Sequence, residues 1–315
     1  MAQFTILSDK EIEQIFSGYQ IHNIHSSKVL SGGSENTNFL IVADSGKYVL
    51  TVCEQKSAQR TRELVHLLEH LDKNDFQTSK IVRNIEGNAV GSCKGKPVMI
   101  KHFIEGKIMD DFSLYLVELT GRELGKLHKI AAPEYLPQKL GYGMENFSLL
   151  EEYASGSDFY SWLLRIHDYI LPFISSKLTI SLIHSDLFCD NIIVSKDEKS
   201  LKIMDFEEAA AYYQVFDIGM TIIGVCSEEK TINLNKVSSL LKGYLNENNL
   251  NETELNSLHA FTVYAGAAMT FWRHRNFNYT NPDPSKTDHY LGLKVLVDHL
   301  MSIPAERFIG ICTDI

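Results

Sequence analysis

The sequence predicts an α+β chain in two lobes: a small β-rich lobe, residues 1–103, and a larger, mostly helical lobe, residues 104–315. Three observations predict it. Short apolar runs separated by turn residues fill the first third, the pattern of strands and hairpins. From about Asp110 onward apolar residues recur every three to four positions, the helical period. Between Ser181 and Phe206 short strand-like runs return and enclose a cluster of polar and acidic residues.

The elements follow in order. "SKVLSGGSENTNFLIVADSGKYVLTVCE" holds two apolar runs around Asp44-Ser45-Gly46, a hairpin signal, preceded by a polar loop from Ser31 to Asn38. Leu64, Leu67, Leu68 and Leu71 then stand at i, i+3, i+4 and i+7, one face of a helix. "IVRNIEGNAVGSCKGKPVMIKHFIEGK" reads as two or three short strands split by Gly87 and by Gly95-Lys96-Pro97. Helical patterns follow in "LYLVELTGRELGKLHKI" and in "DFYSWLLRIHDYILPFISSKL", the latter interrupted near Pro172. Val237 to Leu245, Leu255 to Arg275 and "YLGLKVLVDHLMSI" supply the remaining helices.

Bulk properties exclude some functions. A chain of 315 residues can bury a sizeable core. The formal net charge of -10 argues against nucleic acid or an anionic membrane as partner, since both want a basic face. The five cysteines are odd in number and form no CxxC pair, which argues against disulfides and a zinc site. The N-terminus lacks the basic-then-apolar order of a signal peptide, and no apolar stretch approaches membrane-spanning length. The expectation is a reduced, cytoplasmic protein.

The chemistry concentrates in "LIHSDLFCDNIIV", Leu182 to Val194. Asp186 and Asn191 lie five apart on a polar loop. "NIIV" and "LKIMDF" are apolar runs joined by "SKDEKS", a hairpin that should bring Asp205 back to Asn191. Two carboxylates and an amide carbonyl then converge, hard oxygen donors that suit Mg²⁺. Phosphoryl transfer needs such a set: one carboxylate takes the acceptor's proton, while an Asn and a second Asp hold metal. The protein-kinase catalytic loop has this order and spacing. The glycine-containing loop, with Gly32, Gly33, Ser34, Asn36 and Thr37, suits phosphate: its backbone N–H groups can approach and its hydroxyls can donate.

These residues carry a resemblance. "GGSENTNF", "KYVLTVCE", "GKPVMIKHFIEGK", "GRELGKLH", "HSDLFCDN", "IMDFEEA" and "FDIGM" resemble the aminoglycoside-phosphotransferase and choline-kinase group of small-molecule kinases, which has a protein-kinase-like fold. Within it the chain looks most like the type II homoserine kinases. The resemblance implies ATP as donor, Mg²⁺ as cofactor and, as acceptor, a small molecule with a free hydroxyl, in that family L-homoserine. It implies Asp186 as catalytic base, Asn191 and Asp205 as metal ligands, and backbone groups of His102, Phe103 and Ile104 as the adenine-binding hinge. Asp217 in "FDIG" would brace the catalytic loop, and His184 would pack it. Most kinases carry a lysine where this chain has Thr51; Lys56 is a nearby cation.

Homoserine also carries a carboxylate and an ammonium. Arg273 and Arg275 offer guanidinium groups two residues apart on different helix faces, and the resemblance favours Arg275. Glu207, beside Asp205, offers a carboxylate for the ammonium. The position one turn earlier, an arginine in many relatives of this kind, is Thr270. His128, His274 and the other histidines show no metal-ligand spacing and are assigned no special role. The competing readings are a kinase of the same fold acting on an aminoglycoside, choline or another amino alcohol, and a nucleotide-binding pseudokinase without turnover.

Overall fold

Ser8 and Glu11 cap the first helix reciprocally, each side chain accepting the other residue's backbone N–H, and start α1 (Asp9–Phe16) in the computed structural model, which describes residues 5–30 and 36–313. Periodicity does not predict α1; its signal is that Ser8-Asp9-Lys10-Glu11 box. After it come β1 (Ile24–Val29), β2 (Asn36–Ala43), β3 (Gly46–Cys53), α2 (Ala58–Lys73), β4 (Ile81–Val82), β5 (Val90–Cys93) and β6 (Lys96–His102). The strands form one antiparallel sheet in the order β1-β2-β3-β6-β4, with β5 also on β6. Ala43 pairs with Gly46, so Asp44 and Ser45 are the tight turn the sequence predicts. The four leucines of α2 are all buried. Phe16 and Ile12 of α1 join Phe39, Ile41, Leu50, Val52 and Ile100 of the sheet in one apolar core.

The chain falls into two compact units, Met1–Glu105 and Gly106–Ile315. The second unit holds α3 (Leu114–His128), the short α4 (Glu151–Ala154), α5 (Asp158–Ile170), β7 (Ile180–Ile183), β8 (Ile192–Val194), β9 (Leu201–Ile203), β10 (Ala210–Tyr213), α6 (Gln214–Val225), α7 (Leu234–Leu245), α8 (Glu252–Arg275), α9 (Leu291–Ser302) and α10 (Ala305–Thr313). α6 and α8 form its apolar centre, with nearly every side chain of α6 buried. No helix among the described residues is long and apolar enough to cross a membrane.

α3 and α7 touch backbone to backbone. A Cβ on Gly243 would stand 1.9 Å from the Glu118 carbonyl oxygen, and one on Gly121 would stand 2.0 Å from that of Leu240. Neither carbonyl can yield without breaking its helix. Gly243→Ala is therefore expected to lose about 1–3 kcal/mol of stability by overpacking. A fall in the urea midpoint at unchanged slope would register it; an unchanged midpoint would count against the contact.

Candidate active site

Two short ladders place the candidate chemistry. β7 pairs with β10, and β8 pairs with β9. The segment 184–191 runs from β7 to β8, and the segment 204–209 returns from β9 to β10. Both segments are thus fixed at both ends by the same two ladders and lie side by side. Asp186 and Asn191 occupy the first; Asp205 and Glu207 occupy the second. The Met204 N–H donates to the Asn191 carbonyl at 2.9 Å, so the hairpin returns Asp205 to the neighbourhood of Asn191. Asp186 and Asn191 are partly exposed and Asp205 is exposed.

The amide of Asn191 is oriented. Its Nδ2 donates to the Asp186 carbonyl oxygen at 2.8 Å. A carbonyl can only accept, so the NH₂ end must face it and Oδ1 faces away. That Oδ1 accepts no hydrogen bond among the described residues. An amide oxygen and a carboxylate, as Asp205 carries in the adjoining segment, are both donor types that Mg²⁺ takes.

Asp217, in the first turn of α6, braces the loop. Its Oδ2 accepts the His184 N–H at 2.7 Å and its Oδ1 accepts the Ser185 N–H at 2.7 Å. His184 faces the other segment: its Nε2 meets the Met204 carbonyl at 2.8 Å, and its ring stands edge-on to Phe206. Ser185 and Asp205 both adopt left-handed backbone, φ 70° and φ 66°. Such conformations cost a non-glycine residue of order 1–3 kcal/mol and persist only where the surroundings enforce them.

His128 has a role that ligand spacing could not reveal. Its Nε2 lies 3.1 Å from Asp217 Oδ2 and its Nδ1 lies 2.9 Å from the Tyr244 hydroxyl, with the His128 and Asp217 side chains fully buried. The imidazole joins the loop's brace to α7. Tyr142 was also missed: its hydroxyl reaches the Ser185 carbonyl at 2.8 Å. Nothing in its sequence neighbourhood marks it.

In the first unit, some predicted nucleotide contacts have other partners. The Thr37 hydroxyl donates to Glu54 at 2.5 Å, and its oxygen accepts from the Thr5 N–H. Thr37 is almost fully buried, so its proton is committed to Glu54 rather than offered to a phosphate. Burial alone would raise the Glu54 carboxyl; the Lys96 ammonium, Thr37 and Thr5 outweigh it and hold it at about 2. The His102 and Phe103 N–H groups bond to the Lys80 and Lys47 carbonyls at 2.8 and 3.0 Å. Of that hinge, the Ile104 N–H alone has no partner among the described residues. Asn36 opens β2 and is buried; Gly32, Gly33 and Ser34 lie outside the described residues. Thr51, at the usual lysine position, is buried and donates to Asn38 Oδ1 at 2.7 Å. Glu63 pairs with Arg60 on its own helix.

The two arginines diverge as their spacing predicts. Burial lowers the Arg273 guanidinium, while the Asp186 and Asp190 carboxylates pull it back up. Arg273 thus lies within electrostatic reach of the loop that carries Asp186 and Asp190. Arg275 lies by Tyr153, whose hydroxyl burial pushes up and the Arg275 charge draws down. The Arg275 Nε is buried with no hydrogen-bond partner among the described residues. A π-helical turn, Asn276–Thr280, follows it. Around it Tyr153 stacks on Tyr279 at 4.4 Å and its hydroxyl meets His274 Nδ1 at 3.0 Å. Burial lowers His274 to about 4, so its ring is neutral and serves as an aromatic wall against Phe159.

Over 294 residues the chain is 29% identical to a homoserine kinase of Parvibaculum lavamentivorans, with 90% of each chain covered. It is 27% identical over 297 residues to a homoserine kinase of Zymomonas mobilis, covering 90% of this chain and 91% of that one. A solved microcompartment-associated aminopropanol kinase superposes with a TM-score of 0.72 at 17% identity, covering 96% and 98%. The fold is therefore the protein-kinase-like α+β fold that the sequence predicts, and the chain is an ATP-dependent phosphotransferase acting on an alcohol group. With a model of the phosphotransferase enzyme family matching residues 26–247, the chain belongs to that family.

Proposed function

We propose that the enzyme phosphorylates the side-chain hydroxyl of L-homoserine, giving O-phospho-L-homoserine and ADP. The observation that carries this reading is the likeness to proteins named homoserine kinase along 90% of the chain. Asp186 accepts the proton of the attacking hydroxyl, and its loop is held still by Asp217 and Asn191. Asn191 Oδ1 and the Asp205 carboxylate would hold Mg²⁺, which when bound offsets negative charge on the phosphates. Adenine takes a backbone donor from Ile104. Glu207 attracts the acceptor's ammonium. ADP release measured on L-homoserine, 3-aminopropanol, choline and an aminoglycoside tests the reading. A clear preference for an acceptor other than homoserine would overturn it.

Arg275 is proposed to grip the acceptor carboxylate, because its buried Nε leaves a donor to be satisfied. A charge-assisted bond of this kind contributes roughly 1.5–3 kcal/mol. Arg275→Ala should thus lower kcat/KM for homoserine about ten- to a hundredfold. 3-Aminopropanol lacks the carboxylate and should be used almost equally by both proteins. Arg275→Lys should recover only part of the loss, since an ammonium cannot make the two-pronged contact. Equal losses on both acceptors would make Arg275 structural and turn attention to Arg273.

A further inference from the structure

We propose that Ser185 is a positioning residue whose hydroxyl fastens the Asp186 loop to the Asp205 segment. The Ser185 Oγ donates to the Glu208 carbonyl at 2.6 Å. The Tyr142 hydroxyl lies 2.9 Å from that same Oγ and 2.8 Å from the Ser185 carbonyl, its single proton shared between the two acceptors, which leaves the Ser185 proton for Glu208. Ser185 has no exposed surface, so water does not compete for either contact. Ser185 immediately precedes Asp186, and Glu208 stands three residues after Asp205.

The second segment is held on both sides of Asp205. On one side Met204 is gripped twice, by His184 through its carbonyl and by Asn191 through its N–H. On the other side the tie is Ser185 to Glu208. Between the ties Asp205 adopts its left-handed backbone and a turn follows, closed by the Ala209 N–H on the Phe206 carbonyl. Without the serine hydroxyl, the second side of this bracket loses the anchor that comes from the Asp186 loop.

The backbone at Ser185 sharpens the argument. A φ of 70° is one that glycine adopts freely and serine does not. Glycine would keep the Asp217 bond through its N–H and the Tyr142 bond through its carbonyl. The hydroxyl is the one thing it would lack. The serine therefore accepts backbone strain and supplies a link between the loop carrying the base and the segment carrying the metal ligand. This rests on the assignment of Asp186 and Asp205 made above.

Ser185→Gly and Ser185→Ala separate the effects. Groups that orient a metal ligand from behind typically matter ten- to a hundredfold. Ser185→Gly should lower kcat by about that factor, leave KM for ATP and acceptor within about twofold, and leave the melting temperature unchanged or raised. Ser185→Ala should show the same kcat loss with a lowered melting temperature, because the strain remains. Calorimetry should find that Mg²⁺ strengthens ADP binding less in Ser185→Gly than in the wild type, with Mg²⁺-free binding unchanged. Wild-type kcat in Ser185→Gly would overturn the proposal, as would a kcat loss that comes with a fall in its melting temperature. Asp186→Asn belongs in the same series. If it keeps full turnover, the assignment of the base fails; if it loses turnover while Ser185→Gly does not, only the fastening role fails.

Discussion

Asp186→Asn should bind nucleotide nearly as the wild type does and lose turnover by a factor on the order of 10² to 10⁴. The substitution is close to isosteric. It leaves the Asp186 carbonyl in place to accept from Asn191 and the Asp217 brace intact, so the loop keeps its shape. The carboxylate that would take the hydroxyl proton is what disappears. Single-turnover phosphoryl transfer, with ADP affinity measured alongside, gives the test. A loss smaller than about tenfold, worth roughly 1.4 kcal/mol of barrier, would remove Asp186 from the role of base.

Asp217→Ala should cost the fold itself. The carboxylate is fully buried and satisfies two backbone N–H groups and one imidazole. Removing a buried acceptor strands its donors, at about 1–3 kcal/mol for each buried group left unsatisfied. Denaturant unfolding should show that loss, and the protein that remains folded should turn over slowly because the loop has lost its anchor. Asp217→Asn keeps an acceptor oxygen and should recover part of the stability. A variant Asp217→Ala within about 1 kcal/mol of the wild type would mean that the brace is dispensable.

Much of this was legible in the sequence, for reasons that differ from element to element. A helix such as α2 announces itself because burial on one side imposes a period. The spacing of Asp186, Asn191 and Asp205 is readable because a loop and a hairpin, both local, bring them together. The Asp217 brace was legible only through resemblance, since 33 residues of chain separate it from His184. His128 and Tyr142 were not legible, because their partners lie 89 and 43 residues away. The partner of the Thr37 hydroxyl was hidden for the same cause. Its sequence neighbours suggest a phosphate loop, but Glu54 reaches it across the β2–β3 hairpin. Local pattern reports which groups are available, and long-range folding decides which of them are already engaged.

The glycine contacts between α3 and α7 set a spacing that no side chain controls. Where leucines fill an interface, a changed rotamer or a lost methylene lets two helices creep together or apart by tenths of an ångström. Where carbonyl meets α-carbon, the separation has a hard lower stop. His128 closes one of these helices and Tyr244 lies near the end of the other, next to Gly243, so the stop fixes the span across which the imidazole reaches the Tyr244 hydroxyl. Drift among the surrounding apolar residues can soften the lobe without shifting that span. Tolerance to sequence change and constancy of the loop anchor thus reside in different atoms of the same helix pair.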